Sequence, residues 1–418
     1  MPWKYSRGVT ILLMVPLVSL YAFSLDLYLP LLPAVAHDLH ATKSAMQYGN
    51  SIFMLVCGIG QLIFGPISDR FGRRPVLVGS LAIYLLGSLI LSYSNDLSMF
   101  FLARGLQAFG SCGTYLCCFA SVRDLFTDDT ESAEMFSYLN ISLSLGAITG
   151  PTLGALIGSM SSWHTIFFIL FLHAGISSLY SFFLYHETAP TLQNNNSSVY
   201  KQAIQAYKRV FSSIDYHVYT LPAAVGIGSF FSFYCMSSYL YQEVMHTTPL
   251  TYGILYGSCG LIFFIGSLLC GQTVKRIGIQ KSLWIGLTCH MIGALLVTGS
   301  FIITGKNLLI PTHTGVICII FGSSYMISAG IGGTMAPFQD IAGATFALIS
   351  AYKFIFAQML ANVVMHFYAG TAEPFGIVLI LANITAAGVL FIGQSHTKVS
   401  RNVMQCAAGA KQIPSLGA

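Results

Sequence analysis

The sequence predicts an all-α membrane protein of twelve transmembrane helices arranged as two six-helix bundles. Three observations carry that prediction. Of the 418 residues 55% are hydrophobic and 8% charged, and the mean hydropathy is +0.72, outside the range of soluble domains. Apolar runs of about 20 residues, the span of a bilayer core, recur along nearly the whole chain. Two charged links also repeat: GPISDRFGRR starts at Gly65 and GQTVKRIGIQK at Gly271, an offset of 206, each joining the second and third run of its half.

The runs fall, in order, at 9–32, 44–66, 75–94, 98–121, 133–158 and 163–185, then at 216–241, 250–273, 281–304, 310–333, 341–369 and 373–394. The predicted organisation is an N-terminal bundle (1–185), a linker (186–215), a C-terminal bundle (216–394) and a tail (395–418). Within the linker, VYKQAIQAYKRVF has helical spacing and three basic residues, which suits a short helix on the membrane surface. The N-terminus has the layout of a signal peptide, but the helical run continues past Asp26 to Pro33, as in an uncleaved first span.

An even number of spans puts both termini on one side. With the N-terminus cytoplasmic, that side carries fifteen of the loop Lys and Arg residues and the other only Lys43 and Lys306. Both termini are therefore expected in the cytoplasm. The net charge of +5 is no nucleic-acid signal, because the 19 basic residues sit between apolar runs. Nine of the ten cysteines lie inside those runs and none forms a CxxC pair, so they read as small core hydrophobes. No metal or cofactor is expected. There is no HExxH, GxSxG or Walker-type sequence, so neither an enzyme nor ATP coupling is indicated.

Four motifs resemble the major facilitator superfamily, and within it the Bcr/CflA-type drug:proton antiporters. GPISDRFGRRPVL (Gly65 to Leu77) is similar to the signature of the loop between spans 2 and 3. LDLYLPLLP (Leu25 to Pro33) resembles the acidic motif of span 1. RGLQAFGSCG (Arg104 to Gly113) resembles the Arg-x-x-Gln-x-x-Gly pattern of span 4. GAITGPTLGALIG (Gly146 to Gly158) resembles the antiporter motif of span 5, with Ala155 where a second glycine is usual. The resemblance covers roughly residues 9–394 and implies the two-bundle fold of that superfamily. It further implies a bacterial inner-membrane exporter, a small-molecule substrate, proton exchange and a monomer.

The resemblance also assigns roles. The gating set would be Gly65, Asp69, Arg70, Gly72, Arg73, Arg74 and Asp124, with the Asp69–Arg73–Asp124 cluster meeting the backbone near Asp340 to Ala342 at the start of span 11. Asp26 would be the protonation site and Arg104 its modulator. Read from the residues alone, Gly72 permits a tight reversal, and the arginines hold the link in the cytoplasm. Gly146, Gly150, Pro151 and Gly154 provide small-residue spacing for close helix packing.

Only Asp26, Arg104 and Lys353 lie well inside spans, where an ionised side chain costs on the order of 2.5–3.5 kcal/mol on insertion scales. At 1.5 Å per residue Asp26 and Arg104 both sit roughly 9 Å below the outer surface, a depth at which they can pair. Gln107, Ser111 and Tyr115 follow Arg104 at +3, +7 and +11 on one face, expected to line a polar cavity. Tyr234 is a further candidate for that lining. Lys353, about 18 Å from the cytoplasmic end of its span, leaves the cavity nominally positive and favours anionic or zwitterionic substrates. His173, His290 and His366 lack ligand spacing and read as hydrogen-bonded helix contacts. The leading expectation is a proton-coupled efflux antiporter of multidrug type. The alternative is a transporter of one anionic or zwitterionic metabolite (a siderophore, organic acid or amino acid) in either direction.

Overall fold

The computed structural model describes residues 5–126, 129–189 and 199–410. Before the linker stand α1 (Arg7–Asp26), α2 (Leu32–Asp38), α3 (Lys43–Phe71), α4 (Arg73–Leu91), α5 (Leu97–Leu125), α6 (Asp129–Met160) and α7 (Trp163–Leu184). The linker holds α8 (Val199–Phe211). After it come α9 (Ile214–Tyr239), α10 (Pro249–Ile277), α11 (Ile279–Thr304), α12 (Leu309–Met335), α13 (Ala342–His366) and α14 (Glu373–Ala410). Residues predicted as a tail beyond 394 thus continue α14 as far as Ala410.

Eleven helical segments among the described residues are long and apolar enough to cross a membrane. The remaining predicted span is α5, which has the necessary length at 29 residues but carries Arg104, Gln107, Arg123 and Asp124. Those residues lower its hydropathy without shortening it. The first span departs from expectation. Instead of one helix over 9–32, α1 ends at Asp26, a 3₁₀ turn covers Leu29–Leu31, and α2 follows. Pro30 has no N–H to offer the Asp26 carbonyl four residues back, so the α-helical ladder cannot pass this point.

The two largest apolar cores lie on either side of the linker. One is built from residues such as Met14, Leu17, Leu77, Leu81 and Cys117, the other from Val225, Leu287, Ile319, Val364 and Leu379. The internal repeat reaches into the details of the helix ends. The Thr42 hydroxyl accepts from the Ala45 N–H to cap α3, and Thr248, 206 residues on, accepts from Thr251 to cap α10. Gly72 at φ +96° joins α3 to α4, and Gly278 at φ +87° joins α10 to α11. Both sit in the region that an L side chain avoids, so a sharp turn with no intervening loop is open chiefly to glycine.

The α3–α4 and α10–α11 turns lie at the same end of the molecule, the basic end, with Arg70, Arg73, Arg74, Lys275 and Arg276 beside them. Helix register then assigns the Asp26 break, the start of α10 and the last turns of α9 to the half of the molecule nearer the opposite, far end.

Candidate functional site

Asp26 is the last residue of α1 and only 7% exposed. It lies on the seam between the helices before the linker and those after it. On one side Gly150 of α6 approaches so closely that a Cβ there would fall 2.8 Å from that of Asp26. On the other the Tyr256 hydroxyl of α10 donates to Asp26 Oδ1 at 3.5 Å. The broken segment after Asp26 leaves main-chain carbonyls without helical donors, and α9 together with the π turn that follows it (Leu240–Val244) supplies them. Tyr234 donates to the Leu25 carbonyl at 2.9 Å, and Gln242 Nε2 to the Pro30 carbonyl at 3.0 Å.

Arg104 belongs to a different neighbourhood, inside the first core. It is wholly buried. Its Nη1 donates to the Ser24 carbonyl at 2.9 Å and to Gln107 Oε1 at 2.7 Å, and its Nη2 to the Tyr28 hydroxyl at 3.4 Å. The guanidinium carbon also sits 4.7 Å from the Tyr28 ring centroid and 4.5 Å from that of Phe53. Arg104 and Asp26 form no ion pair, which corrects the pairing expected from their shared depth. The guanidinium instead holds the backbone of α1 two residues before the carboxyl, while the carboxyl turns toward α6 and α10.

The expected polar face of α5 is corrected at Gln107 and Ser111. Gln107 is fully buried, with its Nε2 donating to Ser88 of α4 at 3.0 Å, and Ser111 returns its hydroxyl to the Ala108 carbonyl at 2.9 Å. Gly87 of α4 lets the two helices approach until Gln107 has no opening to line. Tyr115, at +11, is half-buried and packs on Tyr21 at 5.5 Å and Phe119 at 4.5 Å. Tyr234 is 2% exposed, and its hydroxyl is taken by α1.

The small residues of α6 serve two partners. Gly146, Gly150, Gly154 and Gly158 face Ala22, Asp26, Leu27 and Leu31 in turn. From the neighbouring side, Gly253 and Gly260 of α10 close on Pro151, Thr152 and Ala147 of α6. Helix α6 is therefore packed backbone-close to both α1 and α10, with Asp26 where the three meet. A third bridge joins α3 to α13, where Gln358 Nε2 donates to the Ser51 hydroxyl at 2.6 Å and to Asn362 Oδ1 at 2.7 Å.

At the basic end Arg73 gathers the charges. Its Nη1 lies 2.6 Å from Asp69 and its Nε donates to Asp124 at 2.9 Å; Nη1 also donates to the Ser68 hydroxyl at 2.6 Å. Arg70 lies over the Phe71 ring, and Arg74 donates to the Phe182 carbonyl at the end of α7, at 2.6 Å. The side chains of Asp340 and Ala342, the expected meeting point on span 11, lie outside the described residues. Gly65 faces the Tyr207 hydroxyl of α8, whose pKa is pushed up to about 12 by burial and by the Asp69 carboxylate.

Sequence reasoning missed Glu187. Its carboxylate accepts the N–H groups of Arg73 (2.7 Å) and Arg74 (3.2 Å) at the start of α4, and those of Thr188 and Ala189 (both 3.0 Å). An anion belongs at a helix N-terminus, and Gly72 leaves the space it occupies. Sequence reasoning also missed Tyr256, which meets Asp26. A tyrosine at helical spacing from Tyr252 was the available signal.

His290, fully buried, bridges Ser229 (2.8 Å) and Asn383 (2.9 Å), a helix contact as expected. No cluster suited to a metal ion occurs among the described residues. Lys353 of α13 is half-buried, and neither a hydrogen bond nor an ion pair satisfies its ammonium group.

A family model described as Major Facilitator Superfamily matches residues 14–365. The chloramphenicol resistance protein of Pseudomonas aeruginosa is 29% identical over 350 residues, 83% of this chain and 81% of the relative. Multidrug resistance protein D of Escherichia coli K12 is 27% identical over 364 residues, 86% of this chain and 89% of its own. A bicyclomycin resistance protein homolog of Haemophilus influenzae is 23% identical over 399 residues, 95% of this chain and 98% of its own. Among solved structures, a POT family transporter superposes with a TM-score of 0.74 at 12% identity, covering 95% of this chain and 98% of its own. The xylose transporter XylE of E. coli, in a partially occluded inward-open conformation, gives 0.70 at 13% identity, covering 93% and 97%.

Proposed function

This chain belongs to the Major Facilitator Superfamily, and from that premise we propose that it exports small organic molecules across a bacterial inner membrane in exchange for protons. Membership makes it a multi-pass membrane transporter and not an enzyme. The relatives named for resistance to chloramphenicol, bicyclomycin and multiple drugs support efflux of drug-like molecules as its work.

The observation that carries the coupling is the place of Asp26. Its carboxyl sits at the break in α1, against Gly150 before the linker and under Tyr256 after it. A carboxyl there that gains or loses a proton alters the contact between the two sets of helices. Arg104 fixes the Ser24 carbonyl and so holds the break in place, without cancelling the carboxylate. In this reading the sets rock about the α1–α6–α10 junction, proton entry drives the cycle, and one charge crossing 100 mV supplies about 2.3 kcal/mol. The Asp69–Arg73–Asp124 cluster stiffens the basic end, which faces the cytoplasm together with both termini, and the protein works as a monomer.

The test is proton counterflow in proteoliposomes carrying an internal pH dye, with chloramphenicol and bicyclomycin as first solutes. Solute-dependent alkalinisation or acidification that vanishes in Asp26→Asn supports the proposal. Flux that is indifferent to a proton gradient overturns it. A second reading, transport of an anionic or zwitterionic metabolite, is favoured by the unpaired Lys353.

A further inference from the structure

We infer that Lys353 and five aromatic side chains form a binding site for small molecules that join an aryl ring to an anionic group. The inference rests on the transport reading and specifies its cargo.

Of the three ionisable groups deep in the spans, two are engaged. Asp26 is wedged between α6 and Tyr256, and Arg104 donates to a carbonyl, an amide and a hydroxyl while its Nε stays without an acceptor. Lys353 has no such partner, yet an ammonium group held away from bulk water needs a counter-charge or an acceptor. It also faces away from lipid. Met359 (63% exposed) and Val363 (44%) mark the lipid side of α13, and helical geometry sets Lys353 roughly 80–120° round from them.

The rings supply the rest of the site. Phe346 stacks on Phe119 of α5, centroids 6.2 Å apart and planes 14° apart. Phe119 meets Tyr115 at 4.5 Å, Tyr115 meets Tyr21 of α1 at 5.5 Å, and Tyr21 meets Phe354 at 6.2 Å. The row of rings thus leaves α13 at Phe346, crosses α5 and α1, and returns to α13 at Phe354. Phe346 and Phe354 are eight residues apart, about 12 Å along the helix, and Lys353 lies between them on the face of Phe346. Four of the five rings are only half-buried, so part of each ring's surface is free of protein contact.

Chemistry narrows the ligand. Aromatic faces attract both planar rings and cations, but the ammonium of Lys353 repels a cation and leaves the planar ring. A carboxylate or similar anion on that ring would complete the ammonium's hydrogen bonds.

The test uses the full chain in nanodiscs and an isosteric probe pair, 2-naphthoate and its neutral amide 2-naphthamide, with equilibrium dialysis against empty nanodiscs. The wild type is expected to bind the carboxylate about tenfold tighter than the amide. Lys353→Met should equalise the pair without abolishing amide binding, Lys353→Arg should keep the preference, and Tyr115→Leu should weaken both probes. Lys353→Gln reads the same way if the methionine variant does not fold. Equal binding in the wild type, absence of carboxylate binding, or a preference surviving in both neutral variants overturns the inference. In any of those cases, Asp26-dependent proton counterflow with another solute leaves the transport reading standing. Intact naphthoate discrimination with no proton counterflow for any solute strikes that reading alone.

Discussion

The two ends of the molecule are joined by different chemistry. At the basic end the charged groups are dense, but the contacts described for them are local: Arg73 to Asp69, Ser68 and Asp124, and Glu187 to the start of α4, all before the linker. One ring pair, Phe119 on Phe346, crosses to the other set there. In the half toward the far end the crossing contacts are many and, apart from Tyr256 on the Asp26 carboxyl, neutral: Tyr234 and Gln242 to carbonyls of the α1 break, Gln358 to Ser51, and the glycine-lined approach of α6 and α10. Charge stiffens one set of helices, whereas weak neutral hydrogen bonds hold the two sets together. A joint that must open repeatedly is better made of bonds worth about 1 kcal/mol each than of buried ion pairs, whose rupture strands a charge.

Asp26→Asn offers the severest test of that contrast. It should reduce proton-driven solute movement to that of empty vesicles while leaving folding intact; full activity would remove the coupling role from the seam. Next, Gly154→Leu drives a side chain into the Leu27 backbone and should cost about 3 kcal/mol, read as a lowered Tm in detergent. An unchanged Tm would mean that α6 and α1 can separate freely. Arg73→Ala strands Asp124 and should cost about 2 kcal/mol, but Arg70→Ala, which loses only a ring contact, should stay within about 0.5 kcal/mol. Equal losses would deny the cluster its centre at Arg73. Smallest, Tyr234→Phe removes one hydrogen bond and should shift the open-to-closed ratio by about fivefold, about 1 kcal/mol, in spin-label distances across the far end. No shift would show that the bond follows closure without favouring it.

The fold was legible in the sequence because bilayer-length apolar runs and a 206-residue repeat are properties of single segments. The linker helix and the turn at Gly72 were visible for the same reason. The site was legible only in part. Asp26 stood out as a lone acid in an apolar run, but matching its depth with that of Arg104 gave a level along the membrane normal and not a direction around the helix. The break at Pro30 helped decide that direction, and its effect on neighbours is a matter of packing. Gln107 was misplaced because Gly87 draws α4 against it, an approach set by two helices at once. Glu187 was invisible because its meaning depends on Arg73, 114 residues away.

The closure toward the far end rests on acceptors that belong to the peptide chain, the carbonyl oxygens of Leu25 and Pro30. Such acceptors survive any exchange of side chain that keeps the local bend. Substitutions along this strip can therefore change its side chains while the accepting half of each contact stays in place, so that the donors Tyr234 and Gln242 alone decide whether it is made.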